Sequence, residues 1–195
     1  CTCSRKQLEG VGGLYPGYCR NAGHPREAGA IRIRVPELTY AFDDRVQGHF
    51  QQHLGREVGD FIIQRRDGLY AYQLAVVLDD AWQGVTDSVR GADLLDNTPR
   101  QLYLQELLGF SQPRYLHIPL ITQPDGHKLG KSDRSPPLAT EQATPLLLRA
   151  LRALGQSVAS MPTDAPPSEV LAEAVVLWRP EAIPMRPWIP EADLH

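Results

Sequence analysis

The sequence predicts an α/β fold, because three segments along the chain carry strand and helix signals in alternation. Residues 31–35 alternate apolar and basic side chains, which is the period-two pattern of a half-buried strand. Residues 98–108 lie between helix start and stop signals. Residues 116–122 form a short apolar run that is typical of a buried strand.

The first half of the chain contains two predicted strands. The strand at 31–35 ends at Pro36, and a second strand is predicted for 60–66, closed by an Asp-Gly turn signal at 67–68. The apolar run at 69–78 follows directly. Its length and composition fit either a strand or a helix.

The helix predicted for 98–108 has recognisable ends. Asn97 or Thr98 can cap its N-terminus, and Pro99 suits its first turn. Gly109 suits its end, because glycine adopts the left-handed conformation that commonly stops a helix.

The second half adds one strand and two helices. The strand at 116–122 leads into the turn-forming sequence QPDG at 123–126. An amphipathic helix is predicted to start at Thr144-Pro145 and to stop at Gly155. Ser168 caps a helix predicted to run to about Trp178, and the many prolines around it leave room for only that one helix in the tail.

The composition is that of an ordinary globular protein. With 195 residues, 42% hydrophobic and 22% charged, the chain can bury a core in one domain or two small ones. It has no run of about 18 apolar residues and does not begin with a signal peptide. We therefore expect no membrane association and a cytoplasmic location.

The net charge of −3 argues against a protein that binds nucleic acid mainly by unspecific attraction to phosphates. A nucleic-acid partner is still compatible with the sequence, because basic clusters occur at 65–66 and 128–134.

The three cysteines indicate a metal site. Cys1, Cys3 and Cys19 fall within the first twenty residues, in a glycine-rich stretch. Their number is odd, and C-x-C neighbours rarely form a disulfide, so one structural zinc ion is the better account. Ordinary zinc chemistry favours His24 as the fourth ligand. The alternative is three incidental thiols near a chain end.

The sequence HKLGKS at 127–132 predicts a phosphate-binding loop. Lys128 and Lys131 lie three residues apart with Gly130 between them. Lysine ammonium groups suit phosphate oxygens, and a flexible loop can close over a nucleotide. The alternative is a solvated basic loop with no ligand.

Tyr72 and Arg90 are candidates for binding an amino-acid substrate. A guanidinium pairs with a carboxylate through two hydrogen bonds, and a tyrosine hydroxyl can orient an ammonium. The alternatives are a core aromatic at Tyr72 and a surface ion pair of Arg90 with Asp87 or Asp93.

The chain resembles the glutamyl and glutaminyl branch of the class I aminoacyl-tRNA synthetases, from Cys1 to its tail. The string YQLAVVLDDAWQGVTDSVRGADLLDNTPRQ resembles the second catalytic half, and KLGKS resembles the KMSKS-type ATP loop. The opening resembles the zinc-bearing acceptor-binding insertion of that family. Its Cys1-x-Cys3, Tyr15, Cys19 spacing matches the members that glutamylate queuosine in tRNA(Asp), and this match replaces His24 by Tyr15 as the expected fourth zinc ligand.

The resemblance implies a role for each candidate residue. Tyr72 and Arg90 would bind glutamate, and Lys131 would be the catalytic residue that contacts ATP. The loop that closes over the triphosphate of ATP, with Mg²⁺, would consist of Lys128, Leu129, Gly130, Lys131 and Ser132. Gly130 departs from the serine usual in the middle of this loop, which removes a hydroxyl and keeps both lysines.

The resemblance also implies a division of the chain. Residues 1–59 would form the zinc-bearing insertion, 60–135 the second half of a Rossmann-type catalytic domain, and 136–195 a helical C-terminal subdomain. No HIGH-like motif precedes the insertion, so we expect the later part of an enzyme, inactive by itself. We expect no anticodon-binding domain after the lysine loop.

The implied reaction is the activation of L-glutamate with ATP and its transfer to queuosine of tRNA(Asp), by a monomer. Such chemistry needs positioning and charge stabilisation more than a nucleophilic side chain. One rival is a fragment of a discriminating glutamyl-tRNA synthetase. The other is a non-catalytic, zinc-bearing, tRNA-binding module.

Overall fold

The computed structural model describes residues 1–9, 14–15, 17–24, 29–123, 125–129 and 142–194. The chain divides into two compact units. The first consists of Cys1–Asp43, His49–Ser88 and Asp96–Arg114, and the second of Asp44–Gly48, Val89–Leu95 and Tyr115–His195.

Helices and strands are mixed along the chain, as the sequence predicts. The helices are α1 (Arg5–Glu9), α2 (Tyr72–Gln83), α3 (Thr98–Leu108), α4 (Ala143–Ala153) and α5 (Pro167–Leu177). The strands are β1 (Ile31–Ile33), β2 (Thr39–Asp44), β3 (Gly48–His53), β4 (Phe61–Gln64), β5 (Asp87–Gly91), β6 (Arg114–Ile118), β7 (Leu120–Thr122) and β8 (Trp188–Pro190). A π-helix spans Leu54–Val58, and short 3₁₀ turns span Ala92–Asn97, Pro180–Ala182 and Glu191–Asp193.

The described strands pair two by two. β1 pairs antiparallel with β4, with Ile33 opposite Phe61, and β2 pairs with β3. β5 pairs with β6, and β7 pairs with β8 in parallel.

Each unit has its own apolar core. In the first unit, the π-helix and α3 contribute Leu54 and Leu104, which pack with Val35, Phe61 and Val77. In the second unit, α4 contributes Leu148 and Leu151, α5 contributes Val170 and Ala174, and Met161 from the connection between the two helices completes the buried cluster. Within the described residues, no helix combines the length and the apolar character that crossing a bilayer requires.

The predicted helix 98–108 is confirmed, with one correction at its start. Gly109 ends the helix in the left-handed conformation at φ 70°, as expected. Asn97 precedes the helix, but its side chain makes no capping bond, so Asn97 is not the predicted side-chain cap. The Asn97 side chain accepts a hydrogen bond from Gln73 instead.

Three further predictions are refined. The ambiguous run at 69–78 is mainly helical, since α2 begins at Tyr72. The apolar run at 116–122 is divided into β6 and β7 at Pro119, because proline has no N–H to continue a ladder. The tail helix is confirmed as α5, but Pro166 is its N-cap residue, so Ser168 lies inside the first turn and is not the predicted cap.

Candidate functional site

The three cysteines form a compact thiol cluster in the first unit. The Sγ atoms of Cys1, Cys3 and Cys19 all lie within 4.8 Å of one another, and those of Cys3 and Cys19 are 3.5 Å apart. The start of the chain is fixed by backbone hydrogen bonds: the Cys1 amino group donates to Ala30 O (2.7 Å) and Ala30 N donates to Cys1 O (2.9 Å). A Cβ on Gly29 would lie 2.4 Å from the Cys1 carbonyl oxygen, so this close approach requires glycine.

The donor set and spacing of the thiol cluster fit a zinc ion. Zinc binds thiolate at about 2.3 Å in a tetrahedron, which puts neighbouring sulfurs about 3.8 Å apart. The pKa of the Cys19 thiol is lowered to about 6, mainly because the backbone of Thr2 hydrogen-bonds to it. Side-chain hydrogen bonds from Cys3, Tyr15 and His24 act in the same direction, against the opposing effect of burial. Cys19 therefore offers the thiolate that a metal needs.

Both candidates for a fourth ligand lie beside Cys19. Tyr15 is buried, at 5% exposure, and its hydroxyl accepts a hydrogen bond from Cys19 N at 2.6 Å. Burial raises the pKa of the Tyr15 phenol. His24 is exposed, and its Nε2 lies 3.4 Å from Thr2 Oγ1, which in turn lies 3.9 Å from Cys19 Sγ. The structure thus brings together all the residues predicted for the metal site.

Arginines surround the thiol cluster. The Arg32 guanidinium lies 4.4 Å from the centre of the Tyr15 ring and donates to Asp60 O at 2.7 Å. Arg20, next to Cys19, holds the Asp60 carboxylate through two hydrogen bonds of 2.7 and 2.8 Å. Burial opposes ionisation of Asp60, but the bond from Arg20 and one from the Val35 N–H lower its pKa. These cations can offset the charge of a cluster of thiolates.

Tyr72 is the first residue of α2 and is 50% exposed, so it is not the core aromatic that the alternative interpretation required. The next side chain, Gln73, belongs to a polar network inside the first unit. It donates to Asn97 and accepts from Gln101 Nε2 at 2.9 Å. This network ties the start of α2 to the start of α3 and so fixes the backbone that carries Tyr72.

Arg90 lies on β5 in the second unit, held by two neighbours from β6. Its Nε donates a hydrogen bond to His117 Nε2 at 2.9 Å, and its guanidinium lies 5.2 Å from the centre of the Tyr115 ring. Tyr115 and His117 share one face of β6 because side chains two residues apart point the same way, and their rings stack at 6.2 Å. The acids next to Arg90 have other cationic partners, as Asp87 binds Arg114 and Asp93 binds Lys128.

Asp44 and His117 form a buried pair beside Arg90 that the sequence analysis did not predict. His117 Nδ1 lies 2.6 Å from Asp44 Oδ2, and both side chains are fully buried. Asp44 Oδ1 also accepts from the backbone N–H groups of Val46, Gln47 and His117, at 3.0, 2.8 and 3.1 Å. Burial opposes ionisation of Asp44, but these hydrogen bonds, that of the His117 ring foremost, lower its pKa. A lone histidine inside the apolar run YLHIPLI is the one local signal that could have drawn attention to His117.

The first part of the lysine loop lies in the second unit, next to the segment that follows Arg90. The chain turns back after β7, since Gln123 N donates to His127 O (2.7 Å) and Leu129 N donates to Ile121 O (3.1 Å). Lys128 is half exposed and forms an ion pair with Asp93. The remaining predicted loop residues, Gly130, Lys131 and Ser132, lie outside the described residues.

Of the predicted site residues, Tyr72 belongs to the first unit and Arg90 and Lys128 belong to the second. Their joint action on one substrate stays a prediction.

Comparison with known proteins supplies a family for this arrangement. The model of the family "tRNA synthetases class I (E and Q), catalytic domain" matches residues 17–158. The chain is 80% identical over its 195 residues to a protein of Pseudomonas putida W619 named glutamyl-Q tRNA(Asp) synthetase, and it spans 66% of the length of that relative. A protein of the same name from Pseudomonas aeruginosa is 72% identical over 194 residues, again with 66% of its length covered.

Solved structures show the same fold at low sequence identity. The glutamate-tRNA synthetase of Elizabethkingia anophelis aligns with a TM-score of 0.68 at 19% identity, over 97% of this chain and 46% of its own. A glutamate tRNA ligase of Elizabethkingia meningosepticum aligns with a TM-score of 0.66, also at 19% identity, over 93% of this chain and 43% of its own. The predicted fold of a class I synthetase catalytic domain, with mixed helices and strands, is therefore confirmed, whereas the zinc-bearing insertion and the helical C-terminal subdomain stay predictions.

Proposed function

Because the chain belongs to the catalytic-domain family of the class I tRNA synthetases for glutamate and glutamine, we propose that the protein activates glutamate with ATP and transfers it to queuosine of tRNA(Asp). The 80% identity to a protein named for that activity, over the whole chain, is the observation that carries this proposal. The donor pattern Cys1, Cys3, Tyr15 and Cys19 supports the same branch of the family.

Glutamate would be bound by Arg90 and Tyr72. The guanidinium of Arg90 is fixed by His117 and Tyr115, so a carboxylate that pairs with it meets a preorganised donor. The half-exposed hydroxyl-bearing ring of Tyr72 is accessible to a substrate ammonium. Preorganisation of this kind lowers the entropy lost on binding.

ATP, with Mg²⁺, would be bound by the loop from Lys128 to Ser132. Lys131 would stabilise the charge that develops on the phosphates as pyrophosphate leaves, since adenylate formation depends on electrostatic stabilisation. The ion pair of Lys128 with Asp93 supports a loop that can exchange an internal partner for a phosphate.

A single structural zinc ion would be held by Cys1, Cys3, Tyr15 and Cys19. Its function would be to fold residues 1–59 into an acceptor-binding insertion, because a closed four-ligand zinc site supplies folding energy and no open position for chemistry. The neighbouring Arg32 supports Tyr15 as a ligand, since a cation beside the ring can partly offset the burial that raises the pKa of the phenol.

The same proposal assigns residues 60–135 to the second half of the catalytic domain and 136–195 to a helical subdomain, which the packing of α4 against α5 supports. The working form would be a monomer in the cytoplasm.

Pyrophosphate exchange tests the first step of the reaction. The complete protein should exchange pyrophosphate into ATP in the presence of glutamate and in the absence of tRNA. Exchange with glutamine or aspartate in place of glutamate would contradict the proposed substrate. No exchange with any amino acid would favour a non-catalytic tRNA-binding module.

Transfer of labelled glutamate tests the second step. We expect transfer to tRNA(Asp) that carries queuosine and no transfer to tRNA(Asp) that lacks it. Charging of tRNA(Glu) would identify a glutamyl-tRNA synthetase fragment instead.

A further inference from the structure

The buried Asp44–His117 pair has a defined proton arrangement. The Arg90 Nε–H can only donate, so His117 Nε2, 2.9 Å away, must be the acceptor. The ring proton then sits on Nδ1 and is donated to Asp44 Oδ2 at 2.6 Å. The three side chains therefore form one directed chain of hydrogen bonds from the guanidinium through the imidazole to the carboxylate.

The Asp44 carboxylate, which ends this series of hydrogen bonds, is itself held in place by the backbone. Asp44 Oδ1 accepts three backbone N–H groups, two from the turn that follows β2 and one from His117 itself. Gln47, in the same turn, donates from Nε2 to His117 O at 2.8 Å. The turn after β2 and strand β6 are thus locked together around His117.

An aspartate and a histidine in this arrangement can also serve as a general base, as in hydrolases with a catalytic triad. His117 is not placed for that role, because its side chain is fully buried and its Nε2 already accepts from Arg90. A base must reach the proton that it removes. The pair therefore acts on Arg90 and not on a substrate.

We propose that Asp44 and His117 are positioning residues, which hold the Arg90 guanidinium in the orientation that binds a carboxylate of the amino-acid substrate. This inference rests on the proposed function. A carboxylate pairs with arginine through two parallel hydrogen bonds, so its affinity depends on the rotation of the guanidinium about the Cδ–Nε bond. The bond from Nε to His117 fixes that rotation, and the Tyr115 ring supports one face of the plane.

Two variants of the complete protein test the inference by pyrophosphate exchange. His117→Leu removes the acceptor for Arg90. Asp44→Asn keeps the side-chain volume and an oxygen for the three backbone N–H groups, but its amide N–H₂ would face His117 Nδ1. The ring proton would then move to Nε2, where it opposes the Arg90 Nε–H. We expect both variants to raise the KM for glutamate about tenfold and to change the KM for ATP less than twofold.

Two further variants supply a rescue and a control. His117→Gln places an amide oxygen near the position of Nε2, so it should recover most of the glutamate affinity that His117→Leu loses. The chain offers a matched exposed pair, since His49 Nδ1 lies 2.8 Å from Asp43 Oδ1, with the side chains 62% and 88% exposed. His49→Leu should leave both KM values unchanged.

The outcomes separate the inference from the proposed function. A wild-type protein without glutamate-dependent exchange would overturn both. An active wild type whose Asp44→Asn variant keeps the wild-type KM for glutamate, or raises the KM values for glutamate and ATP equally, would overturn the inference alone. If His117→Leu fails to fold, the KM values for glutamate of Asp44→Asn and His117→Gln decide whether the inference holds.

Discussion

Replacing Asp44 by Asn should lower the free energy of unfolding of the protein. The hydrogen bonds that Asp44 makes determine how large this loss is. The change places an amide N–H₂ against His117 Nδ1 and moves the ring proton to Nε2, so the Arg90 Nε–H loses its acceptor, and an unsatisfied buried donor costs about 1–3 kcal/mol. The three backbone N–H groups keep an acceptor, but it loses its charge, and hydrogen bonds to charged groups are the stronger kind. The sum predicts a loss of about 3 kcal/mol in the free energy of unfolding.

The difference in stability between the wild type and Asp44→Asn should also change with pH in a defined direction. The folded-state pKa of Asp44 is lowered, because its hydrogen bonds outweigh the opposing effect of burial. Its ionised form therefore stabilises the fold above the unfolded pKa of about 3.9. That stability is lost as the pH falls through the folded pKa. The difference between the wild type and Asp44→Asn should be constant from about pH 5 to 7 and should shrink below about pH 4.

Urea denaturation followed by circular dichroism at several pH values measures this difference. Asp43→Asn is the matched control, because Asp43 is an adjacent, exposed aspartate that also binds a histidine. It should change the free energy of unfolding by less than about 0.5 kcal/mol at every pH. Equal stability of wild type and Asp44→Asn at pH 7, or a difference that grows as the pH falls, would refute the reasoning.

Four further predictions follow from the site and the fold. Arg90→Lys should raise the KM for glutamate about tenfold, because an ammonium cannot form the forked pair; an unchanged KM would contradict the role. Tyr15→Phe should speed the loss of zinc to a chelator and His24→Ala should not, whereas the reverse pattern would identify histidine as the ligand. Lys131→Ala should lower the rate of adenylate formation in single turnovers far more than it lowers the affinity for glutamate; equal losses of rate and of affinity would argue against a role of Lys131 on the phosphates. Gly155→Ala should lower the free energy of unfolding by more than about 1 kcal/mol, since Gly155 has φ +70° and a Cβ would lie 2.0 Å from a carbonyl oxygen; an unchanged urea midpoint would contradict this.

Local signals allowed much of the fold to be predicted. The ends of α3 follow from a proline in its first turn and from Gly109, and the strand at β1 follows from its strict alternation. The hairpin of β2 and β3 was missed because its sequence, TYAFDDRVQGHFQQH, is largely polar. The side chains of β2 nevertheless alternate between more exposed and more buried positions, because only one face of the strand is covered.

The candidate site was predictable only in part, for a different reason. The cysteines and the lysine loop are close in sequence, so their spacing carries the information. Asp44 and His117 are 73 residues apart, and their contact depends on tertiary pairing that no local pattern encodes. The role of His117 as an acceptor for Arg90 likewise required the pairing of β5 with β6.

The 3.5 Å between the sulfurs of Cys3 and Cys19 has a practical consequence for redox handling. In metal-free protein, peroxide would oxidise the Cys19 thiolate to a sulfenic acid, with release of water, because a lowered pKa makes a thiol the faster nucleophile. The neighbouring Cys3 thiol would then displace the sulfenic hydroxyl as a second water and close a disulfide. Such protein would weigh two hydrogens less and would lose two of the donors proposed for zinc until a reductant restored them. We therefore expect the proposed zinc binding by the first twenty residues to require purification under reducing conditions.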